Sequence, residues 1–285
     1  MTGITITQAG PLTTLQDDGR FGMLRHGISA SGPMDRGAFA AAGATLERAG
    51  STAIEFSQGF AFTTDFALQF ATAGGDFRIL VNGKLRAWAS ALRLSAGAKV
   101  EISPGGSGNY GYVRFHQEIE VPPVLGSRST NVTVGLGGYK GRALRAGDRV
   151  PFGDVGSAAS IVAPVAGNEG PIRVVWGLHA ELFEPKLRAR FIETMFTVTT
   201  SLDRMGVRLD DPTSLFRDQR KLGLVSDAIV PGDIQILGDG TPIVLMRDHQ
   251  PTGGYPRIAT LVSADLDRFA QMRPGTPLNF QPVRR

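Results

Sequence analysis

The sequence predicts a mainly β protein: two antiparallel β barrels in tandem, with a few peripheral helices. Three observations lead there. The 285 residues include 37 glycines and 17 prolines, about 19% of the chain against about 12% in average usage. The excess has no triplet period, so it reads as frequent turns between short strands. Strand-like runs recur along the whole chain, whereas helical periodicity is confined to a few segments. Finally, the two halves share short motifs. Thr13-Thr14 followed by Gln16-Asp17-Asp18-Gly19-Arg20 recurs loosely as Thr199-Thr200 followed by Asp203-Arg204-Met205-Gly206. Thr72-Ala73-Gly74-Gly75 matches Pro251-Thr252-Gly253-Gly254, and Ser95-Ala96-Gly97 matches Arg273-Pro274-Gly275, each pair roughly 180 residues apart. A duplicated barrel accounts for that spacing.

Taken in order, residues 1–7 alternate like a strand and lack the basic start and apolar core of a leader. Residues 60–69 alternate around apolar positions, and 77–81 are apolar-rich. Asn82-Gly83 accepts the positive φ angles of a two-residue hairpin turn, so 78–81 is expected to pair back onto 84–88. Asp239-Gly240 gives a similar signal between 234–237 and 243–246. Further strands are expected at 100–103, 110–115, 172–176, 197–200, 258–262 and 278–281. Helices are expected at 35–48, stopped by Gly50, and at 180–195, where Pro185 limits the start. A third is expected at 264–272, with Ser263 as N-cap and Pro274-Gly275 as the stop. The small residues of 153–170 form the best linker, which divides the chain into domains 1–167 and 168–285.

Composition excludes several classes. Without cysteine there is no disulfide framework, thiolate nucleophile or iron–sulfur ligation. The net charge of +4 comes from scattered residues with no basic run, so nucleic acid is not an expected partner. No stretch approaches the roughly 18 apolar residues that span a bilayer, and the expectation is a cytoplasmic protein. The sequence has no Gly-x-x-x-x-Gly-Lys-Ser/Thr loop, no His-Glu-x-x-His and no Gly-x-Ser-x-Gly. His26, His116, His179 and His249 are dispersed, and no metal site is expected. Gly135-Leu136-Gly137-Gly138-Tyr139-Lys140-Gly141 lacks dinucleotide spacing and reads as a loop between strands.

Polar clusters in turn contexts remain, and function concentrates in such loops. Gln16 and Arg20 belong to one cluster. Ser127, Arg128 and Ser129 form another, in which a planar fork flanked by two hydroxyls suits a carboxylate or phosphate, or ties loop carbonyls together. Asp203 and Arg204, like Asp17 and Arg20, could pin strand ends as ion pairs. Gln250, Gly253, Gly254 and Tyr255 could let backbone approach a ligand beside a polar aromatic wall, or form a tight turn. Glu55 stands inside the apolar run Ala53-Ile54-Glu55-Phe56, where a carboxylate must either be paired or line a cleft. Glu55 and Asp248 are the candidate acid/base groups; the other residues are candidate substrate or anion contacts.

These segments resemble a known family. Thr-Thr-Leu-Gln-Asp-Asp-Gly-Arg at 13–20, Ser-Gly-Pro-Met-Asp at 31–35, Val-Pro-Pro-Val-Leu-Gly-Ser-Arg-Ser-Thr at 121–130, Asp-Arg-Met-Gly-Val-Arg-Leu at 203–209 and Gln-Pro-Thr-Gly-Gly-Tyr-Pro at 250–256 are similar to the KipA family. It is also called the 5-oxoprolinase C-component family, allophanate hydrolase subunit 2 or the biotin-dependent carboxyltransferase family. The likeness runs in order over essentially the whole chain. It implies two cyclophilin-like antiparallel β-barrel domains and a KipI-like B component as partner. With a third protein, the lactam-utilisation-type A component, such proteins open 5-oxoproline to glutamate at the expense of ATP. The expected function is therefore that of one component of a hydrolase for a small amide or lactam, with ATP as cofactor, held by this chain or shared among the components. Arg128, Arg20, Arg204 and the Gly253-Gly254 backbone would serve as donors to developing negative charge.

Two alternatives stay open. One is a carboxyltransferase-like component of an allophanate or urea pathway, with biotin supplied by another protein because this chain has no Met-Lys-Met. The other is a non-enzymatic antagonist of a histidine-kinase inhibitor. The chain also departs from the family pattern. Gln117-Glu118 stands where a Gly-Gly is usual, and Ala42-Gly43 stands where Ala-Asn is usual, which bears on the choice of substrate.

Overall fold

The computed structural model describes residues 2–158, 169–217 and 224–283. They form two compact units, one containing 2–20 and 31–158, the other 21–30 and the described residues after 168. The expected boundary near residue 168, and most of the linker before it, lie outside the described residues.

The first unit is built from two antiparallel sheets. One runs Gln117–Ile119, Arg149–Val155, Gly3–Ala9, Phe60–Thr64, Lys99–Pro104, Phe77–Val81, Lys84–Arg86; the other runs Thr14–Gln16, Ala53–Phe56, Gly111–Phe115, Leu68–Gly74, Ala91–Leu94. Alternation along these strands sends Ile4, Ile6, Phe62, Ile79 and Val100 of the first sheet into one core with Leu15, Ile54, Phe56, Phe70 and Phe115 of the second. Aromatic rings fill its centre, with centroids 4.9 Å apart for Phe56–Phe60 and Phe56–Phe77 and 4.8 Å for Phe115–Phe152.

In the second unit eight strands lie in the order Pro277–Leu278, Phe196–Leu202, Gly206–Asp210, Pro242–Leu245, Asp233–Ile236, Arg257–Leu261, Ile172–Trp176, Phe280–Pro282. The two edge strands are consecutive in the chain, separated only by Asn279, so the sheet nearly closes on itself as a barrel. Closure removes the exposed edges that invite aggregation. Phe191 stacks on Phe280 at 5.0 Å and meets Phe196 at 5.6 Å.

The expected mainly β architecture is therefore present, with local differences. Residues 60–69 form two strands rather than one. Thr64 donates its hydroxyl to the Phe66 carbonyl at 2.9 Å, and the Asp65 carboxylate accepts from Gly3 N at 3.0 Å. These bonds turn the chain out of one sheet and into the other. Asn82-Gly83 makes the expected hairpin, with φ of 49° and 74° and Val81 opposite Lys84. Around Asp239-Gly240 the closing pair is instead Ile236–Pro242. The Asp239 carboxylate captures Thr241 N at 2.9 Å, and Leu237 N reaches Thr241 O at 2.9 Å, so the connection is a longer loop.

One pair of repeats folds alike. Ala98 N bonds Ser95 O and Thr276 N bonds Arg273 O, while Gly97 N and Gly275 N, both at positive φ, bond Thr64 O and Val198 O.

Helix α1 is Arg36–Ala44, capped by Asp35, whose carboxylate accepts from Ala38 N at 2.8 Å. It is shorter than 35–48 because Arg48–Ala49 pairs as a strand with Ser157–Ala158. Helix α2 is Pro185–Glu193, with proline at N1 after a separate 3-10 turn, Ala180–Leu182. Proline's missing N–H is harmless in the first turn and disruptive later, which splits the expected 180–195 run. In helix α3, Ser263–Ala270, the capping residue is Val262 rather than Ser263, with no side-chain cap bond. No helix among the described residues is long and apolar enough to cross a membrane.

Gly111 lies where the core is tightest: a Cβ there would stand 2.5 Å from Phe56 Cζ and 2.9 Å from Phe77 Cε2. Overpacking of this kind costs about 1–3 kcal/mol. Gly111→Ala is therefore expected to lower the unfolding free energy by that amount at unchanged urea m-value; an unchanged midpoint would contradict the packing described.

Candidate functional site

In the first unit the sequence-selected residues gather around Asp17. Its Oδ1 accepts from Ser127 Oγ at 2.5 Å, Ser129 Oγ at 2.6 Å and Gly19 N at 3.0 Å, and its Oδ2 accepts from Arg128 N at 2.6 Å. Asp17 N returns a bond to Ser129 Oγ at 3.0 Å. Burial raises the pKa of Asp17, but the hydrogen bonds from Ser127, Ser129 and the two amides outweigh it, so the carboxyl titrates below its ordinary value. Gln16, fully buried, donates to Thr14 Oγ1 at 2.9 Å and Thr130 O at 3.1 Å. Arg20, also buried, donates to the Ser129 carbonyl and to Ser31 Oγ. The glycine-rich loop closes over this cluster. Gly137 and Gly138 both have positive φ, and a Cβ on either would collide with Ser129 O and Arg20 or with Thr130 Oγ1. Arg128, half-buried, donates its Nε to Val121 O at 2.8 Å, so it ties loop carbonyls together.

Glu55 is fully buried. Its Oε2 accepts from Met34 N and from Tyr112 Oη, each at 2.8 Å, and Tyr112 Oη accepts from Asp35 N at 2.8 Å. Burial, with the charges of Glu55 and Asp35, holds the Tyr112 phenol well above its ordinary pKa, so it remains a donor. Of the two readings of Glu55, pairing is the one realised. Its carboxylate anchors the Ser-Gly-Pro-Met-Asp turn that starts α1.

In the second unit Arg204 and Asp248 form a buried two-point ion pair, Nε–Oδ2 at 2.8 Å and Nη2–Oδ1 at 3.1 Å, and Asp248 N also bonds Arg204 O at 2.7 Å. Asp203, exposed, uses Oδ1 to hold Met205 N at 2.7 Å and Gly206 N at 3.0 Å. Asp203 and Arg204 therefore do not pair with each other in the way the sequence suggested; each pins a turn through a different partner. Gln250 offers its carbonyl to His249 Nδ1 at 2.6 Å. His249 is buried, and that burial pushes its pKa down despite the Gln250 carbonyl and the nearby Asp233 and Asp248. Thr252–Gly253 pairs with Asp227–Ala228, and a Cβ at Gly253 would come within 2.5 Å of Gln235 Nε2. A Cβ at Gly254 would stand 3.1 Å from Leu224 O, and Tyr255 is exposed.

One feature the motif reading did not select is a cleft of about 650 Å³ within the first unit. Phe39, Ala40 and Pro33 form its apolar side, and Arg36, Arg114, Asp18, Glu118 and Asp154 bring charge. Two positions where the chain departs from the family pattern, Gly43 and Glu118, both line it. That shared location is the signal that could have found the cleft. Glu118 is occupied by backbone: its carboxylate accepts from Ser51 N at 2.6 Å, Thr52 N at 3.2 Å and Ile119 N at 3.0 Å. Among the described residues no group of three or more His, Asp or Glu side chains is arranged to hold a metal ion.

A barrel-like, turn-rich β fold with polar loops pinned by buried carboxylates defines the class, and comparison with known proteins places it. The chain matches the family described as "Carboxyltransferase domain, subdomain A and B" over residues 26–282, and it belongs to that family. It is 34% identical to the C component of 5-oxoprolinase from Escherichia coli K12, over 97% of this chain and 90% of that protein. It is 32% identical to the C component of 5-oxoprolinase from Haemophilus influenzae, over 98% and 91%. Among solved structures, the K. lactis urea amidolyase superposes with a TM-score of 0.87 at 25% identity, covering 99% of this chain; the chain spans about a fifth of that protein's length, 19%.

Two outcomes follow from the buried groups. Because the folded pKa of Asp17 lies below its unfolded value, its contribution to stability is present above about pH 4 and is lost as pH falls through the folded value. Asp17→Asn is expected to destabilise the protein at pH 7 and to flatten the acid limb of a stability–pH curve; a parallel curve would count against the hub. Asp248→Asn removes the two-point charge partner that Asp248 gives the buried Arg204 guanidinium, at a cost of about 3–5 kcal/mol. Denaturation of that variant within roughly 1 kcal/mol of wild type would contradict the pairing.

Proposed function

We propose that this chain is the C component of an ATP-dependent 5-oxoprolinase, acting with a KipI-like B component and a lactam-utilisation-type A component to convert 5-oxoproline to glutamate. The observation that supports this most is identity of 34% and 32% to proteins named as the C component of 5-oxoprolinase, over 90% and 91% of their lengths. Those names describe one member of a multi-protein enzyme, which implies that other members complete it.

The chemistry needs help because an unstrained lactam carbonyl is a poor electrophile. Hydrogen-bond donors placed where the oxygen gains charge lower that barrier. In this reading the residues that keep exposure are the candidate contacts to substrate or to a partner's bound intermediate, each within its own unit: Arg128 in the first, and Asp203, Gln250, the Gly253-Gly254 backbone and Tyr255 in the second. The buried set, Gln16, Arg20, Glu55, Ser127, Ser129, Arg204 and Asp248, fixes the loops that carry them. The cleft of the first unit is lined by three carboxylates, Asp18, Glu118 and Asp154, beside Arg36 and Arg114, a charge balance that speaks against a triphosphate there. With no phosphate loop in the sequence either, the nucleotide is assigned to a partner protein.

A second reading, a carboxyltransferase component of a urea or allophanate pathway, is favoured by the family description and by the K. lactis likeness. There biotin would arrive on another protein. Reconstitution separates the two. With all three components and ATP, 5-oxoproline should release glutamate, and release should stop when this chain is omitted and persist with avidin. Full turnover in its absence would refute the proposal. Avidin-sensitive consumption of urea instead would support the second reading, and partner binding without any turnover would favour a role as antagonist.

A further inference from the structure

Arg114 differs from the other well-placed arginines of this protein. Arg142, Arg173, Arg204 and Arg257 each rest on an aspartate at 2.6–2.8 Å. Arg114 lines the cleft of the first unit, and among the described residues it makes no ion pair and has one hydrogen bond, from Nη2 to the Gly50 carbonyl. Its Nε is buried without a hydrogen-bond partner. The nearest acidic residues do not complete it: Glu118 spends both oxygens on backbone amides, and Asp18 is exposed. An incompletely paired, partly desolvated guanidinium is costly to maintain.

The protein nevertheless holds that group in one place. The guanidinium carbon sits 4.4 Å from the centroid of the Phe39 ring, a cation–π contact across the first turn of α1. Gly43, one turn further along the helix, leaves room for it, since a methyl there would collide with Nη1. Phe39, Gly43 and the Gly50 carbonyl thus fix the plane of the fork before any ligand arrives. Preorganised guanidinium forks recognise planar anions through two parallel N–H donors. The apolar wall of Phe39, Ala40 and Pro33 beside it suits a short hydrocarbon ring or chain. The exposed carboxylates of Asp18 and Asp154 in the same lining suit an N–H donor on the same molecule.

We infer that this cleft is a carboxylate-binding site, in which Arg114 takes the carboxylate of a small molecule carrying both an apolar ring or chain and an N–H donor. That the molecule is 5-oxoproline or its product glutamate rests on the functional reading above; the site itself does not.

Isothermal titration of the full chain, alone and in complex with its partners, with 5-oxoproline, L-glutamate and 2-pyrrolidone tests the site. The carboxylate-bearing compounds should bind saturably, and 2-pyrrolidone, which has the ring and N–H but no carboxylate, should bind at least about tenfold more weakly. Arg114→Gln should weaken the carboxylates by a similar factor while leaving 2-pyrrolidone unchanged. Arg114→Lys, which keeps the charge without the fork, should recover part of the loss and serves if the glutamine variant does not fold. Equal binding of 2-pyrrolidone and 5-oxoproline, unchanged carboxylate affinity in both variants, or no saturable binding of any carboxylate to chain or complex would each overturn the inference. Carboxylate binding that depends on Arg114, without glutamate release by the complex, would keep the site and refute the 5-oxoprolinase reading. Turnover with a KM unmoved by Arg114→Gln would do the reverse.

Discussion

The first unit depends on one carboxylate that serves several backbone and hydroxyl partners at once. Asp17 sits just after a strand of the second sheet, and through three accepted hydrogen bonds its carboxylate holds residues 127–129, more than a hundred positions further along the chain, while a fourth holds Gly19 N. Loops between strands carry amide groups that no ladder satisfies, and burying them unpaired would cost roughly as much as a lost hydrogen bond each. A single charged acceptor meets that demand at several points and fixes register between loops that have no sheet contact in common. The same logic recurs in the second unit. There the Arg204–Asp248 pair, reinforced by the Asp248 N to Arg204 O bond, ties the turn at 203–206 to the segment after the strand Pro242–Leu245. In both units the polar residues that look functional in the sequence are largely what makes the loops rigid enough to be functional.

Much of the fold was legible because strand and turn chemistry is local. Asn82-Gly83 fixes its hairpin through φ angles that few other pairs accept, and Ile172–Trp176 is a strand wherever an apolar, β-branched run meets a barrel. What could not be read was set by side chains that recruit backbone. Asp239 captures Thr241 N and lengthens a turn that its dipeptide signal made too short. The stretch 60–69 alternates around apolar positions, yet Asp65 takes an amide from Gly3, far away in sequence, and the run becomes two strands in different sheets. Ser263 has the right chemistry for a cap, but Val262 takes the position because the strand before it ends there.

The candidate site divides along the same line. Clusters around Asp17 and Arg204 were visible as unusual polar runs between strands, and they do come together within their own units. Their purpose was not visible, because a sequence shows that Glu55 is an acid in an apolar run without showing that Met34 N and Tyr112 Oη await it. The cleft escaped motif reading for a different reason. Two of its residues, Asp18 and Pro33, belong to motifs already conspicuous in the sequence, but the others come from α1, from the strands Gly111–Phe115 and Gln117–Ile119 and from around the short pairing between Arg48–Ala49 and Ser157–Ala158, which share no motif. The two departures, at Gly43 and Glu118, and the motif residues Asp18 and Pro33 all fall there, but nothing in the sequence says that they converge.

Family membership constrains the architecture more tightly than the reaction, since a fold is held by interactions that chemistry need not touch. In this protein the two kinds of residue separate by how completely their charges are met. Asp17, Glu55, Asp248 and Glu118 have their hydrogen-bonding capacity largely filled by the chain itself, so substituting them should be felt first in stability. Arg114 is held as firmly as any of them, by a ring face, a carbonyl and a glycine that makes way, yet among the described residues only its Nη2 has a hydrogen-bond partner, and the residue lines a cleft. Rigidity combined with unmet capacity is what distinguishes a group kept for a ligand from a group kept for the fold. In this unit the distinction points away from the conspicuous loop motifs and toward the surface beside α1.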